Sequence, residues 1–255
     1  MTLSLAVAGK GGTGKTTFSA LVIRALKEAG VRGILAVDAD PNSNLAEALG
    51  VDAGKALADI REEGSSPEGS PQSGIGRARA IDDELQRAIT EAEGFDLITM
   101  GRSEGPRCYC YVNNLLRKSL DSLTGSYEAI VIDNEAGMEH LSRRTTNNID
   151  FLVTVMNPTM PSFRAVKRVL ELSRELPVEI AERTVLVSRT RPEEAPEEVL
   201  RGLAELDARR LPDIPQDDAV EQAGAAGENV FALPEDSPAL VAVRQLIDTL
   251  RNPSK

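Results

Sequence analysis

The stretch that decides the fold is GKGGTGKTT, which occupies residues 9–17 near the start of the chain. It fits the spacing G-x-x-x-x-G-K-[ST], in which a glycine-rich loop leads into a lysine and a hydroxyl residue. Residues 3–8 before it form a short apolar run, and residues 15–29 after it have the periodicity of an amphipathic helix. A loop of this composition between a strand and a helix predicts a binding site for a nucleoside triphosphate.

Phosphate binding explains each residue type in this loop. Glycines allow successive backbone N–H groups to turn inward and form an anion site, and the following helix adds its free N-terminal N–H groups and positive dipole end. Lys15 is expected to reach the β- and γ-phosphates and the Thr16 hydroxyl to bind Mg²⁺, while Thr17 assists at the α-phosphate. The alternative is a glycine-rich turn that matches by chance. The residues predicted at the phosphates are Gly9, Gly11, Gly12, Thr13, Gly14, Lys15, Thr16 and Thr17.

Outside this loop, short apolar runs alternate with amphipathic stretches. Continuous apolar runs are typical of strands buried on both faces, and their alternation with helices predicts parallel strands. We therefore predict an α/β fold that resembles the P-loop NTPases, with a mostly parallel sheet flanked by helices on both faces, as a single domain over residues 1–255. The predicted strands are 3–8, 33–38, 95–100, 129–133, 151–156 and 184–188, and the predicted helices are 15–29, 81–91, 113–123, 161–175, 197–206 and 238–250.

One segment interrupts this alternation. Residues 61–79, REEGSSPEGSPQSGIGRAR, are rich in Ser, Gly and Pro and show no periodicity. Such composition predicts a flexible surface loop inserted into the domain.

Charge and composition restrict the partners of the protein. Asp and Glu number 40 against 29 Lys and Arg, which gives a formal net charge of −11. Affinity for nucleic acid and for anionic membranes depends on Lys and Arg, so we expect neither as a partner. The N-terminus lacks the basic segment of a signal peptide, and no apolar run is long enough to cross a bilayer. These features predict a cytoplasmic protein.

The only two cysteines, Cys108 and Cys110, stand two positions apart in the segment RCYCY. Thiols stay reduced in the cytosol, so a structural disulfide is not expected. Two thiolates at i and i+2 point the same way on an extended backbone, so the pair suits free thiols or ligands of a soft metal ion. The alternative is a pair of small buried apolar side chains.

The phosphate loop carries a second lysine, Lys10, and in this respect GKGGTGKTT resembles the deviant loop of the MinD, ParA and nitrogenase-iron-protein class of ATPases. The resemblance implies a homodimer that hydrolyses ATP to ADP and phosphate. It also implies that Lys10 reaches across the dimer interface to the partner's nucleotide, as a cation supplied in trans to the transition state. The alternative is a solvated lysine in an exposed loop.

Two further segments resemble the switch regions of this class. VDADPNSN resembles switch I, which implies that Asp38 holds a Mg²⁺-bound water and that Asp40 positions the attacking water. IVIDNEAGMEHLSR resembles the Walker B strand and switch II, which implies that Asp133 binds Mg²⁺ through water and that the backbone N–H of Gly137 reaches the γ-phosphate. For Asp133 the alternative is a helix cap after a buried strand.

The base-binding end departs from the class. Relatives usually have an Asn-Lys or Asn-Arg pair after the sixth strand to hold adenine, whereas this chain has Ser188 and Arg189 there. The tripeptide DIP, which ends at Pro215, resembles the second base-contacting turn. We therefore assign the base to Arg189 and Pro215 and expect ATP rather than GTP.

The cysteine pair and the segment EHLSR select a branch of the class. With GRSEGPRCYCYVNNLLR they resemble the nickel-insertion ATPases of carbon monoxide dehydrogenase maturation, the CooC type. The resemblance implies a client such as carbon monoxide dehydrogenase or another nickel enzyme. It also implies a thiolate site for Zn²⁺ or Ni²⁺ at Cys108 and Cys110, shared across the dimer, because two pairs together supply four sulfur ligands.

Two other functions fit the same class. An iron–sulfur scaffold ATPase would hold a cluster between the same four thiolates. A positioning ATPase of the ParA or MinD kind would run the nucleotide cycle without any metal. Such proteins bind DNA or a membrane surface, and the net charge of −11 argues against both.

Overall fold

The computed structural model describes residues 2–64, 83, 86–101, 125–135, 148–176, 178–191 and 195–251. Cys108, Cys110, Gly137, the predicted helix at 113–123 and most of the predicted loop at 61–79 lie outside these residues. The first four residues of that loop differ from the prediction, because they complete a helix. The described elements are β1 (Leu3–Gly9), α1 (Lys15–Glu28), β2 (Ile34–Asp38), α2 (Asn44–Leu49), α3 (Leu57–Gly64), β3 (Ile89–Ala92), β4 (Phe95–Thr99), β5 (Ala129–Asp133), β6 (Asn148–Met156), α4 (Met160–Glu175), β7 (Glu179–Thr190), α5 (Glu197–Ala204), β8 (Arg209–Arg210), β9 (Ile214–Pro215), α6 (Asp218–Ala226), a 3₁₀ turn (Val230–Ala232) and α7 (Pro238–Arg251).

The strands form a sheet in the order β3-β4-β2-β5-β1-β6-β7-β8, with β9 paired to β7. Every described pairing is parallel except that of β3 with β4. From β1 the chain passes through α1 to β2, which lies on one side of β1, whereas β6 and β7 lie on the other. A reversal of this kind opens a crevice at the carboxyl ends of the strands, where ligands of open α/β sheets bind.

Helices cover both faces of the sheet, because successive residues of its central strands point to opposite sides. Val7 belongs to an apolar cluster with residues of α1 and α7, whereas its neighbours Ala6 and Ala8 belong to a second cluster with residues of α3 and α4. All residues of β2 and β5 are buried, as their continuous apolar sequences predict. The predicted α/β fold with a mostly parallel sheet is confirmed. Among the described residues, no helix is both long and apolar enough to cross a bilayer.

A buried arginine fixes α1 to the C-terminal part of the chain. Arg24 is 3% exposed, and its Nη1 donates hydrogen bonds to the carbonyl oxygens of Val230 and Leu233 at 2.6 and 2.9 Å. Its Nε donates to Glu28 at 2.7 Å, one turn further along the helix. A buried guanidinium needs such partners to offset its lost hydration. They hold α1, the helix that follows the phosphate loop, in place.

The predicted helix at 81–91 is wrong at its C-terminal end. The structure has β3 there, antiparallel to β4, with Ala92 opposite Phe95. Glu93 and Gly94 form the turn between the two strands, and Gly94 has φ +91°. Glycine favours such two-residue hairpin turns, so pairing with β4 overrides the helical periodicity of the sequence. Helices α2, α3 and α6, which have six, eight and nine residues, were not predicted from the sequence.

Candidate nucleotide-binding site

The loop at residues 10–14 joins the end of β1 to the start of α1. Gly9 ends β1 with φ +148°, and a Cβ atom there would stand 2.3 Å from the carbonyl oxygen of Val155 on β6. Gly14 precedes α1 with φ +87°, in the left-handed region that favours glycine. Glycine is therefore required at position 9 because β6 lies so close. Glycine is favoured at position 14 because the backbone is left-handed just before α1.

Hydrogen bonds within the loop hold its curved shape. The Thr13 hydroxyl donates to the carbonyl oxygen of Lys10 at 2.8 Å, and Thr13 is only 1% exposed. The N–H of Phe18 donates to the carbonyl oxygen of Gly14 at 2.8 Å, so regular helical bonding starts here. The N–H groups that precede Phe18 in α1 have no helical partner, and together with the helix dipole they suit a phosphate group.

The two lysines of the loop have opposite environments. Lys15 is 8% exposed, and its charge acts on the carboxylate of Asp133. Lys10 is exposed at the surface of the loop. Lys15 therefore faces the interior of the site, while Lys10 is accessible to a second molecule.

Two buried carboxylates lie side by side at the carboxyl edge of the sheet. Asp38 and Asp133 are register partners at the ends of the neighbouring strands β2 and β5, and they are 0% and 1% exposed. Asp38 accepts hydrogen bonds from the N–H groups of Leu45 at 2.8 Å and of Asp40 at 3.1 Å. Asp133 accepts one from the Ser19 hydroxyl at 3.1 Å. Residues of α1, of α2 and of the loop after β2 thus donate hydrogen bonds to the two acidic groups.

Burial is the main cause of the raised pKa of both groups. It raises the pKa of Asp38 to about 7, and the charges of Asp133 and Asp40 add to this effect. It raises the pKa of Asp133 to about 6, although the Thr16 hydroxyl and the charge of Lys15 act in the opposite direction. A divalent cation beside the pair would favour the charged forms of both.

The donor set at this edge fits Mg²⁺. Mg²⁺ binds oxygen ligands and keeps several of its waters in nucleotide sites. The Thr16 hydroxyl and the carboxylates of Asp38 and Asp133 supply oxygen atoms of this kind. On β4, next to Asp38, the buried Oγ1 of Thr99 has no hydrogen-bond partner within the described part of the chain. Two buried carboxylates and an unpaired hydroxyl suit a hydrated cation.

The stability of the nucleotide-free and metal-free protein should depend on the titration of Asp38 and Asp133. In the unfolded chain both titrate near 3.8, whereas in the folded protein they keep their protons up to about pH 7 and about pH 6. Between these values the folded state binds more protons than the unfolded state. The free energy of unfolding therefore falls as the pH rises from about 4 to about 7. Each group lowers the free energy of unfolding by on the order of 1 kcal/mol per pH unit in the range where only the folded state holds its proton.

Urea unfolding at a series of pH values measures this dependence. The matched control is the double variant Asp38→Asn/Asp133→Asn, which has the same shape but no carboxyl group to titrate at these positions. We expect the unfolding free energy of the wild type minus that of the variant to fall as the pH rises from about 4 to about 7. Parallel curves for the two proteins would contradict the raised pKa values.

Asp40 lies in the loop between β2 and α2 and is partly exposed. Its Oδ1 accepts hydrogen bonds from the backbone N–H and from Nδ2 of Asn42, each at 2.9 Å. Ser43, the last residue before α2, has φ +54°, which is uncommon for a residue other than glycine. The local bonds and this turn hold the Asp40 carboxylate outside the buried pair, where it can meet water.

A cavity of about 300 Å³ lies beside the phosphate loop. Arg189 and Pro215, which were predicted to hold the base, line it together with Gly14 and Thr17, which were predicted to hold phosphates. The pairing of β9 with β7 is irregular around Arg189, and this residue has φ +54°. The irregularity brings Arg189 and Pro215 to one cavity, which is large enough for a purine base.

Sequence reasoning missed two polar residues of the site. Asp217 lines the same cavity and accepts hydrogen bonds from the N–H of Ala219 at 2.9 Å and from the Ser237 hydroxyl at 2.5 Å. Its position before the helix DAVEQAGAA is a typical N-cap signal, which could have revealed it. Ser19 offers no such signal, because its bond to Asp133 depends on how α1 packs on β5.

Comparisons with known proteins agree with this geometry. The profile described as the CobQ/CobB/MinD/ParA nucleotide binding domain matches residues 5–230. An uncharacterized ATP-binding protein of Methanocaldococcus jannaschii is 37% identical over 97% of this chain and 98% of its own. The carbon monoxide dehydrogenase accessory protein CooC of Rhodospirillum rubrum is 36% identical over 68% of this chain and 70% of its own. The septum site-determining protein MinD from Pyrococcus horikoshii, solved with Mg-ADP, has a TM-score of 0.72 at 24% identity, over 98% of this chain and 96% of that one, which indicates a shared fold.

Proposed function

Because the chain belongs to the CobQ/CobB/MinD/ParA family of nucleotide-binding domains and is an ATPase, we propose that its nucleotide cycle serves the maturation of a metal centre in a client enzyme. The cargo is a nickel ion, and the client is carbon monoxide dehydrogenase or a related nickel enzyme. The observation that carries this proposal is the likeness to the CooC accessory protein. The sequence adds to it by placing both cysteines of the chain in one C-x-C pair.

In the proposed cycle, the loop and the N-terminus of α1 bind the phosphates of ATP. Lys15, buried at the start of α1, balances the negative charge of the β- and γ-phosphates. Asp38 and Asp133 would hold Mg²⁺ through its bound waters, and Thr16 would supply a hydroxyl ligand. When bound by these residues, Mg²⁺ would neutralise charge that develops on the phosphate oxygens. Asp40, which is accessible to solvent, orients the attacking water.

The proposed base site is the cavity beside the phosphate loop. Arg189 and Pro215 line it together with Thr17. One nucleotide can therefore place its base in the cavity and its phosphates in the phosphate loop. We assign adenine to this cavity, consistent with the ATP-binding relative from Methanocaldococcus jannaschii. The backbone N–H of Gly137 is assigned to the γ-phosphate.

Dimer formation is proposed to connect the nucleotide with the metal. Lys10 is exposed and would reach the nucleotide of the second protomer, so hydrolysis would need two chains. Cys108 and Cys110 of each chain would give two of the four thiolates that hold Zn²⁺ or Ni²⁺. When two ligands act on the same interface, each changes the affinity for the other by the same factor. ATP binding would therefore alter metal affinity.

A positioning role is the second candidate, and the MinD-like fold favours it. In that case the nucleotide cycle would control attachment to a surface, and the cysteine pair would have no metal. The two functions differ in one measurable respect, which is whether the dimer binds a metal ion through its thiols.

The double variant Cys108→Ser/Cys110→Ser tests the proposal. We expect the wild-type protein to form a dimer with one Zn²⁺ or Ni²⁺ per two protomers, and the variant to bind less than about one tenth as much metal, because a hydroxyl group is a poor ligand for a soft ion. Gel filtration with light scattering gives the mass, and elemental analysis gives the metal per protomer.

The matched control is the double variant Ser65→Ala/Ser66→Ala, which changes two neighbouring hydroxyl residues and leaves both thiols intact. Retained metal binding in the cysteine variant would remove the thiolate site. A brown dimer after anaerobic purification, with iron and sulfide in place of nickel, would instead indicate an iron–sulfur scaffold. ATP-dependent sedimentation with DNA or lipid vesicles, without bound metal, would indicate a positioning ATPase.

A further inference from the structure

The hydroxyl of Ser188, near the end of β7, bonds to the phosphate loop. Ser188 is 7% exposed, and its Oγ lies 2.7 Å from the carbonyl oxygen of Thr13. Two other acceptors, the carbonyl oxygen of Met156 and Oδ1 of Asn157, are 3.2 and 3.1 Å away. A hydroxyl has only one proton to donate, and 2.7 Å is the usual length of an O–H···O bond. Thr13 therefore receives it.

This bond fixes the orientation of a backbone N–H group. The carbonyl of Thr13 and the N–H of Gly14 belong to the same planar trans peptide unit, in which they point in opposite directions. Because the carbonyl is held towards β7, the N–H of Gly14 must point away from β7. Gly14 lies directly before the first residue of α1, so this N–H belongs to the group that faces a bound phosphate.

A second hydroxyl acts on the loop in the same way. The Thr13 hydroxyl donates to the carbonyl oxygen of Lys10 at 2.8 Å, which orients the peptide unit between Lys10 and Gly11. A continuous path of two hydrogen bonds thus runs from Ser188 on β7 through Thr13 to Lys10. Two of the loop's peptide units are set by side-chain hydroxyl groups before any nucleotide binds.

We propose that Ser188 is a positioning residue that preorganises the phosphate loop from β7, at a site outside the phosphate-loop sequence itself. Its bond to Thr13 keeps the N–H of Gly14 directed at the phosphates, so the loop does not have to be ordered when the nucleotide arrives. Such preorganisation increases affinity by removing an entropic cost of binding. The proposal concerns nucleotide binding alone and does not depend on the metal or the client.

The variant Ser188→Ala tests this role. Removing one hydrogen bond of ordinary strength should weaken the binding of Mg-ADP by roughly three- to tenfold. The phosphates are held in the ground state and in the transition state alike, so KM for Mg-ATP should rise while kcat stays within about twofold. Titration of each variant with a fluorescent ADP analogue gives the affinity, and phosphate release gives KM and kcat.

The matched control is Thr184→Val, on the same strand. The Thr184 hydroxyl is also buried and donates to a carbonyl oxygen, that of Leu152 at 3.0 Å, but it does not touch the loop. We expect this variant to lose stability and to bind Mg-ADP like the wild type. Equal affinities of Ser188→Ala and wild type, or equal losses in both variants, would overturn the proposal.

A second variant covers the case in which Ser188→Ala folds poorly. Ser188→Cys keeps a side chain of similar size, but a thiol is a weak hydrogen-bond donor. Its affinity for Mg-ADP should also fall by at least about threefold. Wild-type affinity in Ser188→Cys would show that the hydroxyl bond does not act on the nucleotide.

Discussion

Replacement of Lys15 by methionine is expected to reduce ATP hydrolysis by about 10²–10³-fold, the usual cost of removing a group that stabilises charge in a transition state. Methionine retains an unbranched apolar side chain but has no positive charge. Lys15 is buried, so neither water nor a neighbouring surface lysine can replace it easily. Its loss would also remove a charge that lowers the pKa of Asp133, and that carboxylate would bind protons more readily. In Lys15→Met, the rate of phosphate release from ATP and the affinity for Mg-ADP should both fall.

The variant Lys10→Met is the matched control for Lys15→Met. Both lysines lie in the same loop, but Lys10 is exposed. If Lys10 acts on the partner's nucleotide, Lys10→Met should hydrolyse ATP slowly while binding Mg-ADP as tightly as the wild type. Equally weak binding by the two variants would exclude a role in trans. Normal hydrolysis by Lys15→Met would refute the assignment of the phosphate site.

Substitution of Gly9 by alanine should have the largest effect on the fold. The new Cβ would stand 2.3 Å from the carbonyl oxygen of Val155, and a backbone atom cannot move aside without separating β1 from β6. In addition, φ +148° lies in a region that is essentially restricted to glycine. We expect a loss of more than about 4 kcal/mol in the free energy of unfolding, which is exceptional for one substitution.

The variant Gly30→Ala separates the steric clash from the backbone strain. Gly30 also has a positive φ, +73°, but a Cβ there would have no atom within 4 Å. Its replacement should cost only the strain of a left-handed residue, about 1–2 kcal/mol. Urea unfolding of both variants measures the difference. Equal losses would show that β6 can adapt to a side chain at position 9.

The parts of the fold that the sequence predicted best are those that depend on local chemistry. The spacing of Gly9, Gly14 and Lys15 sets a turn between β1 and α1, and that turn can be inferred from neighbouring residues alone. The central strands were also predicted, because burial on both faces requires continuous apolar runs. The parallel sheet followed from the alternation of strands and helices.

Features that depend on packing could not be predicted in the same way. The contact between Asp38 and Asp133 requires β2 to pair with β5, although 95 positions separate the two residues along the chain. No local pattern specifies that pairing. The bond from Ser188 to Thr13 likewise depends on where β7 ends relative to the loop. For the hairpin at β3, pairing with β4 prevails over the helical periodicity of the isolated sequence.

The buried Arg24 lowers the entropic cost of binding a nucleotide. Because its guanidinium joins α1 to the carbonyl groups of Val230 and Leu233, the helix behind the phosphate loop is already held before a nucleotide arrives. Little conformational entropy remains to be lost there. Phosphate binding therefore needs little free energy to order α1, which is a fixed support for the phosphate loop.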